Sequence, residues 1–410
     1  MWDKWRIALT PELQKRDITI EVGGHGYENF IEPEMENGKL FEMHPEWFGV
    51  DDAGYRDRGY RVFCTSNDDA VKYLASNLVK YVQARPEIQI FDFWPTDGAP
   101  WCRCEICEAQ GTPADRQAIL LNKVTAEVAK VRPDLRMECI AYAHALAPPS
   151  NAVIDESVLI DYCPIAQCFD KQIDDLTSEL NAMYTANLKA WREAFKGDIN
   201  LYSYYRKYMW NSKPVIIPNY MQKDLRFYRT IPIRGMQIYT EPGDWFTFEL
   251  NYYVLSHLLW DIESDVDTLI KDFCRHRYGT ASGAAVKAFT ILEDNVRRYS
   301  SIPHIPDQSA DERSKAIGRL EDAARTLRNT REWITDETIR YNIDRMLLTI
   351  KYAQLDIDII MGRDSGVDPS VLRDKVHELH EFLKRHKRDG VFVESGDYPF
   401  KLAIYRIKTD

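Results

Sequence analysis

The sequence predicts an α/β protein of the (β/α)8 TIM-barrel type with two of its usual units missing, followed by an α-helical bundle. Up to about residue 262, short β-branched runs alternate with amphipathic helical stretches, a pattern typical of a parallel sheet. Polar and aromatic residues follow several of these runs, as at the carboxyl ends of barrel strands. From residue 263 onward only helical periodicity remains. We therefore predict two domains, 1–262 and 263–410.

Six strands are predicted in the first domain. Their bounds are 18–22, 88–93, 136–142, 158–162, 199–205 and 235–240. Right-handed crossovers would place them parallel and in chain order, with the first and last strands at the two edges. The sequence Gly23-Gly24-His25-Gly26 after the first strand does not match G-x-G-x-x-G, and no P-loop is present, which argues against nucleotide binding.

Helices are predicted before, between and after these strands. Their approximate bounds are 2–15, 66–85, a stretch around 120–128, 172–195, 264–278, 283–299, 309–333, 335–361 and 368–387. Apolar residues at a spacing of three and four, together with acidic first turns, support these assignments. The final stretch 390–408 is predicted to be extended, and its Val391-Phe392-Val393 and Leu402–Tyr405 runs could add strands at an open sheet edge.

Composition excludes several classes of protein. The 410 residues carry a net charge of −11, which argues against nucleic acid or an anionic membrane as the main partner. No run of 18 apolar residues predicts a membrane span, and the start of the chain lacks the apolar core of a signal peptide. We therefore expect a cytoplasmic protein if the chain is complete, and a secreted or periplasmic one if an N-terminal segment precedes it.

Taken together, the motifs at the predicted strand ends resemble the domain-of-unknown-function family 4838. The motifs that carry the resemblance are Gly24-His25-Gly26-Tyr27-Glu28, His44-Pro45-Glu46-Trp47-Phe48, Thr96-Asp97-Gly98 with Trp101-Cys102-Arg103-Cys104-Glu105-Ile106-Cys107, Asp161-Tyr162-Cys163-Pro164-Ile165 with Cys168-Phe169, and Leu259-Trp260-Asp261. This family is related to glycoside hydrolases, including the family 163 endo-β-N-acetylglucosaminidases that act on complex N-glycans. The resemblance covers roughly residues 15–280 and implies a glycan as substrate.

The chain departs from such barrels at its start. Related barrels begin with two strand–helix units before the strand that carries Gly-His-Gly, whereas here only the predicted helix 2–15 precedes it. The expectation is therefore a barrel that lacks its first two units. The resulting open edges would be covered by the segment 390–408 or by a second copy of the chain, so an oligomer formed through this edge is an open expectation.

Glycoside hydrolysis uses an acid and a second carboxylate, and two residues are the first candidates for these roles. Asp97 follows the second predicted strand between Trp94 and Trp101, and Glu241 ends the sixth. If they face each other across a barrel mouth, a direct covalent nucleophile is disfavoured, which leaves an inverting mechanism or a substrate-assisted one. The resemblance then favours a retaining route in which the substrate's own acetamido group attacks.

Other residues are candidates for supporting roles. Glu138 and Asp92 lie within predicted strands and either could be a catalytic partner or a buried polar residue. Side chains near strand ends are predicted to bind the sugar by stacking or hydrogen bonding, because aromatic faces suit carbohydrate. They are His25, Trp94, Tyr142, His144, Tyr204 and Trp245.

The spacing Cys102-x-Cys104-x-x-Cys107 places three thiols on one loop, and Cys168 is the proposed fourth member. Four thiolates suit tetrahedral zinc, here in a structural role. A disulfide and unpaired buried thiols stay open as alternatives. No cofactor is expected to be required for the chemistry.

Three functions are weighed against each other. The first is a glycoside hydrolase acting on N-acetylglucosamine-containing glycans, such as an endo-β-N-acetylglucosaminidase with a substrate-assisted retaining mechanism. The second is a non-catalytic carbohydrate-binding protein on a degenerate barrel. The third is a structural partner protein that uses an apolar groove on the helices of residues 309–387.

Overall fold

The computed structural model describes residues 2–58, 62–302, 308–393 and 398–407 of the chain. These residues form two compact units that alternate along the sequence. Unit 1 comprises residues 1–165, 186–202 and 231–237, and unit 2 comprises residues 166–185, 203–230 and 238–410. Unit 2 thus takes in segments that precede residue 262, and the predicted boundary between domains 1–262 and 263–410 stays a prediction.

One sheet of six strands forms the framework of the first half of the chain. The strands are β1 (Glu21–His25), β2 (Ile90–Trp94), β3 (Arg136–Ala141), β4 (Leu159–Tyr162), β5 (Asp198–Ser203) and β6 (Gly235–Ile238). They lie in the order β1-β2-β3-β4-β5-β6, and the pairs from β1 to β5 are parallel. The predicted strand order and the two predicted edges, β1 and β6, are confirmed. A barrel closed by eight strands is not seen in the described residues.

The sheet curls so that side chains of its first and last strands meet. The side-chain amide of Gln237 on β6 donates a hydrogen bond to the carboxyl group of Glu21 on β1. These two strands are the edges of the sheet, so a contact between them requires strong curvature. The result is a curled parallel half-barrel with a concave face.

Strand β1 begins three residues later than predicted and continues through both of its glycines. Gly23 has φ 143°, and a Cβ atom built on it would lie 2.3 Å from the carbonyl oxygen of Asp92 on β2. Only glycine allows the two backbones to approach this closely. The glycines therefore serve strand pairing, and His25 is the last residue of the strand instead of lying in a loop after it.

The α-helices follow the predicted alternation and then fill the rest of the chain. They are α1 (Trp2–Gln14), α2 (Met35–Gly38), α3 (Leu40–Met43), α4 (Asp68–Gln83), α5 (Glu105–Ala109), α6 (Pro113–Ala129), α7 (Glu179–Ala194), α8 (Pro218–Arg229), α9 (Trp245–Trp260), α10 (Val266–Tyr278), α11 (Ser282–Tyr299), α12 (Ala310–Arg331), α13 (Glu337–Asp364), α14 (Pro369–Arg385) and α15 (Tyr398–Ile404). Among the described residues, no helix is both long enough and apolar enough to cross a lipid bilayer.

Helix α4 illustrates why these segments are helical. The side chain of Asn67 accepts hydrogen bonds from the backbone amides of Asp69 and Ala70, which satisfies two donors of the first turn. Leu74 and Leu78 then lie four residues apart on the buried face. In α6, Thr112 and Asp115 form a capping box, each bonding the other's backbone amide.

Helices α4 and α6 cover one face of the sheet. Tyr81 of α4 packs edge-on against Phe91 of β2, and Gln117 of α6 donates a hydrogen bond of 3.0 Å to the carbonyl oxygen of Ile140 on β3. Alternate residues of each strand point to the opposite, concave face. That face is the subject of the site described below.

The predicted extended stretch 390–408 is not extended in its second part. Leu402 belongs to helix α15, and both it and Tyr405 are buried in an apolar core with Val391 and Phe392. This core also contains residues of α13 and α14, so the apolar residues near the chain end serve helix packing within unit 2. The prediction that 402–405 adds a strand is wrong. Residues 394–397 and 408 lie outside the described residues.

Candidate functional site

Three carboxyl groups meet on the concave face of the sheet. Glu21, Asp92 and Glu138 come from β1, β2 and β3, and each offers an oxygen within 4.8 Å of the other two. Asp92 lies directly opposite Glu138 in the strand register, which explains their proximity. Asp161 on β4 adds a fourth buried carboxyl group nearby. We call Glu21, Asp92 and Glu138 the carboxyl cluster.

Burial raises the pKa values of all four carboxyl groups above those of ordinary carboxylic acids. Desolvation, together with the charge of Glu21, raises the pKa of Asp92 to about 8. Burial likewise raises the pKa of Asp161 to about 8. The pKa of the fully buried Glu138 is raised well above its ordinary value, and burial also raises that of Glu21. At neutral pH Asp92 and Asp161 are therefore mainly neutral carboxylic acids, the form that can donate a proton.

Within the carboxyl cluster, Asp92 lies between Glu21 and Glu138, with oxygens of the three groups within 4.8 Å of one another. Oδ1 of Asp92 and Oε1 of Glu138 have no hydrogen-bond partner in the described residues. The same oxygens are of the kind that hard divalent cations bind, so a cation is the alternative means of neutralising them.

Aromatic side chains lie above the carboxyl cluster at the carboxyl end of the strands. The indole N–H of Trp94 donates a 3.0 Å hydrogen bond to Oε2 of Glu138. His25 packs edge-on against Trp94 with ring centroids 5.1 Å apart, and Tyr142 lies 5.9 Å from His25. Tyr202 of β5 meets Trp94 at 5.6 Å. Three predicted sugar-binding residues, His25, Trp94 and Tyr142, are thus brought together.

A cavity of about 770 Å³ opens beside β1 and reaches two members of the carboxyl cluster. Its lining includes Glu21 and Asp92, the backbone of Gly23 and Gly24, and His25. Aromatic side chains of unit 1 complete the wall. They are Trp2, Trp5, Tyr27, Phe30, Tyr81 and Phe91. A volume of this size lies in the range of small-molecule sites.

Asp97 lies in a turn directly after β2 and is exposed to solvent. The loop that carries it is fixed at its start by Glu28, which accepts hydrogen bonds from the Thr96 backbone amide at 3.1 Å and hydroxyl at 2.9 Å. Burial raises the pKa of Glu28 to about 7. On the same loop, Pro95 accepts a 2.6 Å hydrogen bond from Nδ1 of His25.

Glu241 and two predicted sugar-binding residues belong to unit 2. The hydroxyl group of Tyr239 donates a hydrogen bond to Glu241, and its ring stacks on Tyr204 with centroids 6.0 Å apart. Trp245, at the start of α9, is half exposed and packs against Tyr252 at 4.6 Å. Two aromatic pairs thus lie in unit 2, and Tyr239 of the first pair is bonded to the carboxyl group of Glu241. The predicted pairing of Glu241 with Asp97 stays a prediction, as does sugar binding by the exposed His144 of unit 1.

Four thiols meet in a second location of unit 1. They belong to Cys64, Cys102, Cys104 and Cys107, whose sulfurs all lie within 4.8 Å of one another. The fourth member is therefore Cys64, which immediately precedes α4, and the predicted Cys168 is not among them. Cys168 belongs to unit 2, where its backbone is bonded to the side chain of Asn181. We call these four residues the thiol cluster.

Sequence reasoning missed Glu21, Glu28, Asp161 and Cys64. For Glu21 and Asp161 a signal was present, because each interrupts an apolar strand at a position that faces the same side as Asp92. An acidic residue inside such a strand destabilises the fold unless it is paired or protonated. Glu28 and Cys64 carry no comparable local signal, since their roles depend on contacts with Thr96 and with residues 102–107.

Comparison with known proteins agrees with this architecture. Residues 4–290 match the model of the family described as Domain of unknown function (DUF4838), and the chain therefore belongs to this family. No curated protein matches the sequence.

Among solved structures, the chain resembles a family GH115 4-O-methyl-α-glucuronidase with specificity for decorated arabinogalactans, with TM-score 0.51 and 10% identity over 84% of this chain. The chain spans about half of that enzyme's length, 48%. An O-GlcNAc hydrolase mutant from Thermobaculum terrenum superposes with TM-score 0.47 and 10% identity over 98% of this chain and 91% of its own. At such identity the likeness to the glucuronidase concerns the fold alone.

Proposed function

We propose that the protein is a glycoside hydrolase that acts on N-acetylglucosamine-containing glycans by a substrate-assisted retaining mechanism. The observation that carries this proposal is a carboxylic acid, Asp92, whose pKa is about 8 and which lines a cavity bordered by aromatic side chains. A neutral carboxylic acid in such a place is the group that glycosidases use to protonate the leaving oxygen.

In this proposal Asp92 donates its proton to the leaving oxygen and becomes a carboxylate. When water then attacks the anomeric carbon and breaks its bond to the acetamido oxygen, Asp92 takes a proton from that water and regains its neutral form. The three carboxyl groups are too close together to enclose a sugar ring between them, because even retaining pairs stand about 5–5.5 Å apart. A second carboxylate must therefore come from elsewhere.

Asp97 and Glu241 are the proposed candidates for that second carboxylate. In the substrate-assisted route it would accept the acetamido N–H and so make the acetamido oxygen a better nucleophile at the anomeric carbon. Asp97 lies five residues after Asp92, in the turn that follows β2, and Glu241 accepts a hydrogen bond from the hydroxyl group of Tyr239. His25, Trp94 and Tyr142 would contact the sugar at the mouth, with His144, Tyr204 and Trp245 as further proposed contacts.

The test compares two substrates that differ only in their leaving group. With an alkyl β-N-acetylglucosaminide, Asp92→Asn should lower kcat by at least about 100-fold, the usual contribution of a general acid. With a nitrophenyl β-N-acetylglucosaminide, whose leaving group needs no proton, the loss should be much smaller. The wild-type rate on the alkyl substrate should fall above about pH 8, where Asp92 loses its proton.

Asp97→Asn and Glu241→Gln are the matched controls, because loss of a polarising carboxylate should slow both substrates equally. An Asp92→Asn enzyme that turns over both substrates normally would contradict the role of Asp92. Hydrolysis of glycosides without an acetamido group at the wild-type rate would contradict the substrate-assisted route. Glycan binding with no turnover of either substrate or of an N-glycoprotein would instead favour the carbohydrate-binding alternative.

A further inference from the structure

The thiol cluster has the geometry of a closed tetrahedral metal site. The sulfur of Cys64 lies 3.7 Å from that of Cys104 and 3.8 Å from that of Cys107. In a regular tetrahedron with zinc–sulfur bonds of about 2.3 Å, neighbouring sulfurs are about 3.8 Å apart. A disulfide would bring two sulfurs to about 2.05 Å, and all four cysteines here are free.

The surroundings of the thiol cluster suit thiolates. The backbone amide of Val50 donates to the sulfur of Cys102 at 3.3 Å, and that of Cys107 donates to the sulfur of Cys104 at 3.4 Å. The hydroxyl group of Ser66 lies 3.1 Å from the sulfur of Cys107. The two backbone amides stabilise negative charge on sulfur, as the outer contacts of metal sites do.

Apolar side chains and one buried cation enclose the group. Val62 and the partly buried Val50 and Ala99 pack against the sulfurs and limit access of water. The guanidinium group of Arg116, itself 6% exposed, donates a 3.0 Å hydrogen bond to the carbonyl oxygen of Cys102. Zinc with four thiolates carries a net charge of −2, which this positive charge partly offsets.

We propose that Cys64, Cys102, Cys104 and Cys107 bind one structural Zn²⁺ ion. Four protein ligands leave no open coordination position, so the ion takes no part in catalysis. Its effect is to tie the segment before α4 to the loop between β2 and α6, which carries Asp97 and contains α5. The proposal does not depend on the proposed glycosidase activity.

Metal analysis of the purified, reduced full chain tests this proposal first. We expect about one zinc per chain after removal of loosely bound metal. X-ray absorption at the zinc edge should give four sulfur neighbours at about 2.3 Å. Zinc absent from the folded protein, iron in its place, or fewer than four sulfur neighbours would overturn the proposal, as would a disulfide among these four residues found by mass spectrometry.

Substitutions identify the fourth ligand. Cys64→Ser should lower the zinc content to a small fraction of the wild-type value and make the loop of residues 95–104 sensitive to proteolysis, because that loop loses its anchor. Cys168→Ser is the matched control and should retain zinc and protease resistance. The opposite result, zinc lost in Cys168→Ser and kept in Cys64→Ser, would refute the assignment. Should Cys64→Ser fail to fold, the absorption measurement on the wild type decides the question by itself.

Discussion

Replacing Asp92 by Asn should remove much of the protein's sensitivity to alkaline pH. The pKa of Asp92 is about 8 in the fold, against 3.8 ordinarily, because of burial and the charge of Glu21. The folded chain therefore holds this proton more tightly than the unfolded chain does. The contribution of Asp92 to the free energy of unfolding is fully present below about pH 4 and is lost progressively as the pH rises to about 8. An amide at the same position has no proton to lose.

The size of the effect follows from the same values. From pH 5 to pH 8 the proton activity falls tenfold three times. Each tenfold change lowers the contribution of Asp92 to the free energy of unfolding by about 1.4 kcal/mol, which gives roughly 4 kcal/mol in total. Glu21 and Glu138 interact with Asp92, so the three groups titrate together and we halve this figure to about 2 kcal/mol. For a folded unit of 150–250 residues, that corresponds to about 4–8 °C in Tm.

Differential scanning calorimetry at pH 5 and pH 8 measures this effect. The fall in Tm between the two pH values should be smaller in Asp92→Asn than in the wild type by about 4–8 °C. Asp97→Asn serves as the control, since Asp97 is exposed and its replacement should leave the pH dependence unchanged. Parallel Tm curves for Asp92→Asn and the wild type would refute the view that burial holds a proton on Asp92.

Three further substitutions probe single contacts, each measured by thermal or urea unfolding at pH 6. Trp94→Phe deletes the indole donor to the buried Glu138 and should lower stability by about 1–3 kcal/mol; no loss would show that this hydrogen bond is not needed. Asn67→Ala removes the cap of α4 and should lower stability by about 1 kcal/mol, with Asn67→Asp as the variant expected to retain it. Arg206→Met removes the cationic partner of the buried Asp244 in unit 2 and leaves the hydroxyl group of Ser212 as a donor to it; stability should fall by about 3–5 kcal/mol, more than loss of a surface pair would cause.

The sequence was sufficient for the order of the strands, and the reason is periodicity. Alternation of β-branched runs with amphipathic helices is a local property, so β1 to β6 and α10 to α14 could be predicted from residue spacing. Predictions from local sequence were wrong or incomplete where contacts between residues distant in the chain determine the structure. The run Leu402–Tyr405 has the composition of a strand, yet Leu402 belongs to helix α15 and, like Tyr405, is buried against residues of α13 and α14. Likewise, spacing located Cys102, Cys104 and Cys107, but only the fold brings Cys64 to them from 38 residues earlier.

The same distinction explains why Asp92 and not Asp97 is the stronger candidate for the acid. In the sequence, Asp97 is conspicuous because it follows a strand beside glycine, a position that any exposed turn also favours. Asp92 interrupts an apolar strand, where a buried acid lowers stability at neutral pH. An acid at such a position therefore suggests a functional role. Glu21 and Glu138 are also acids within strands, one on each neighbour of β2, and their side chains lie close to that of Asp92. Three neighbouring acids lower the stability of the fold at neutral pH, and they lie beside a cavity that can admit a ligand. A role in proton transfer explains their presence better than a role in folding.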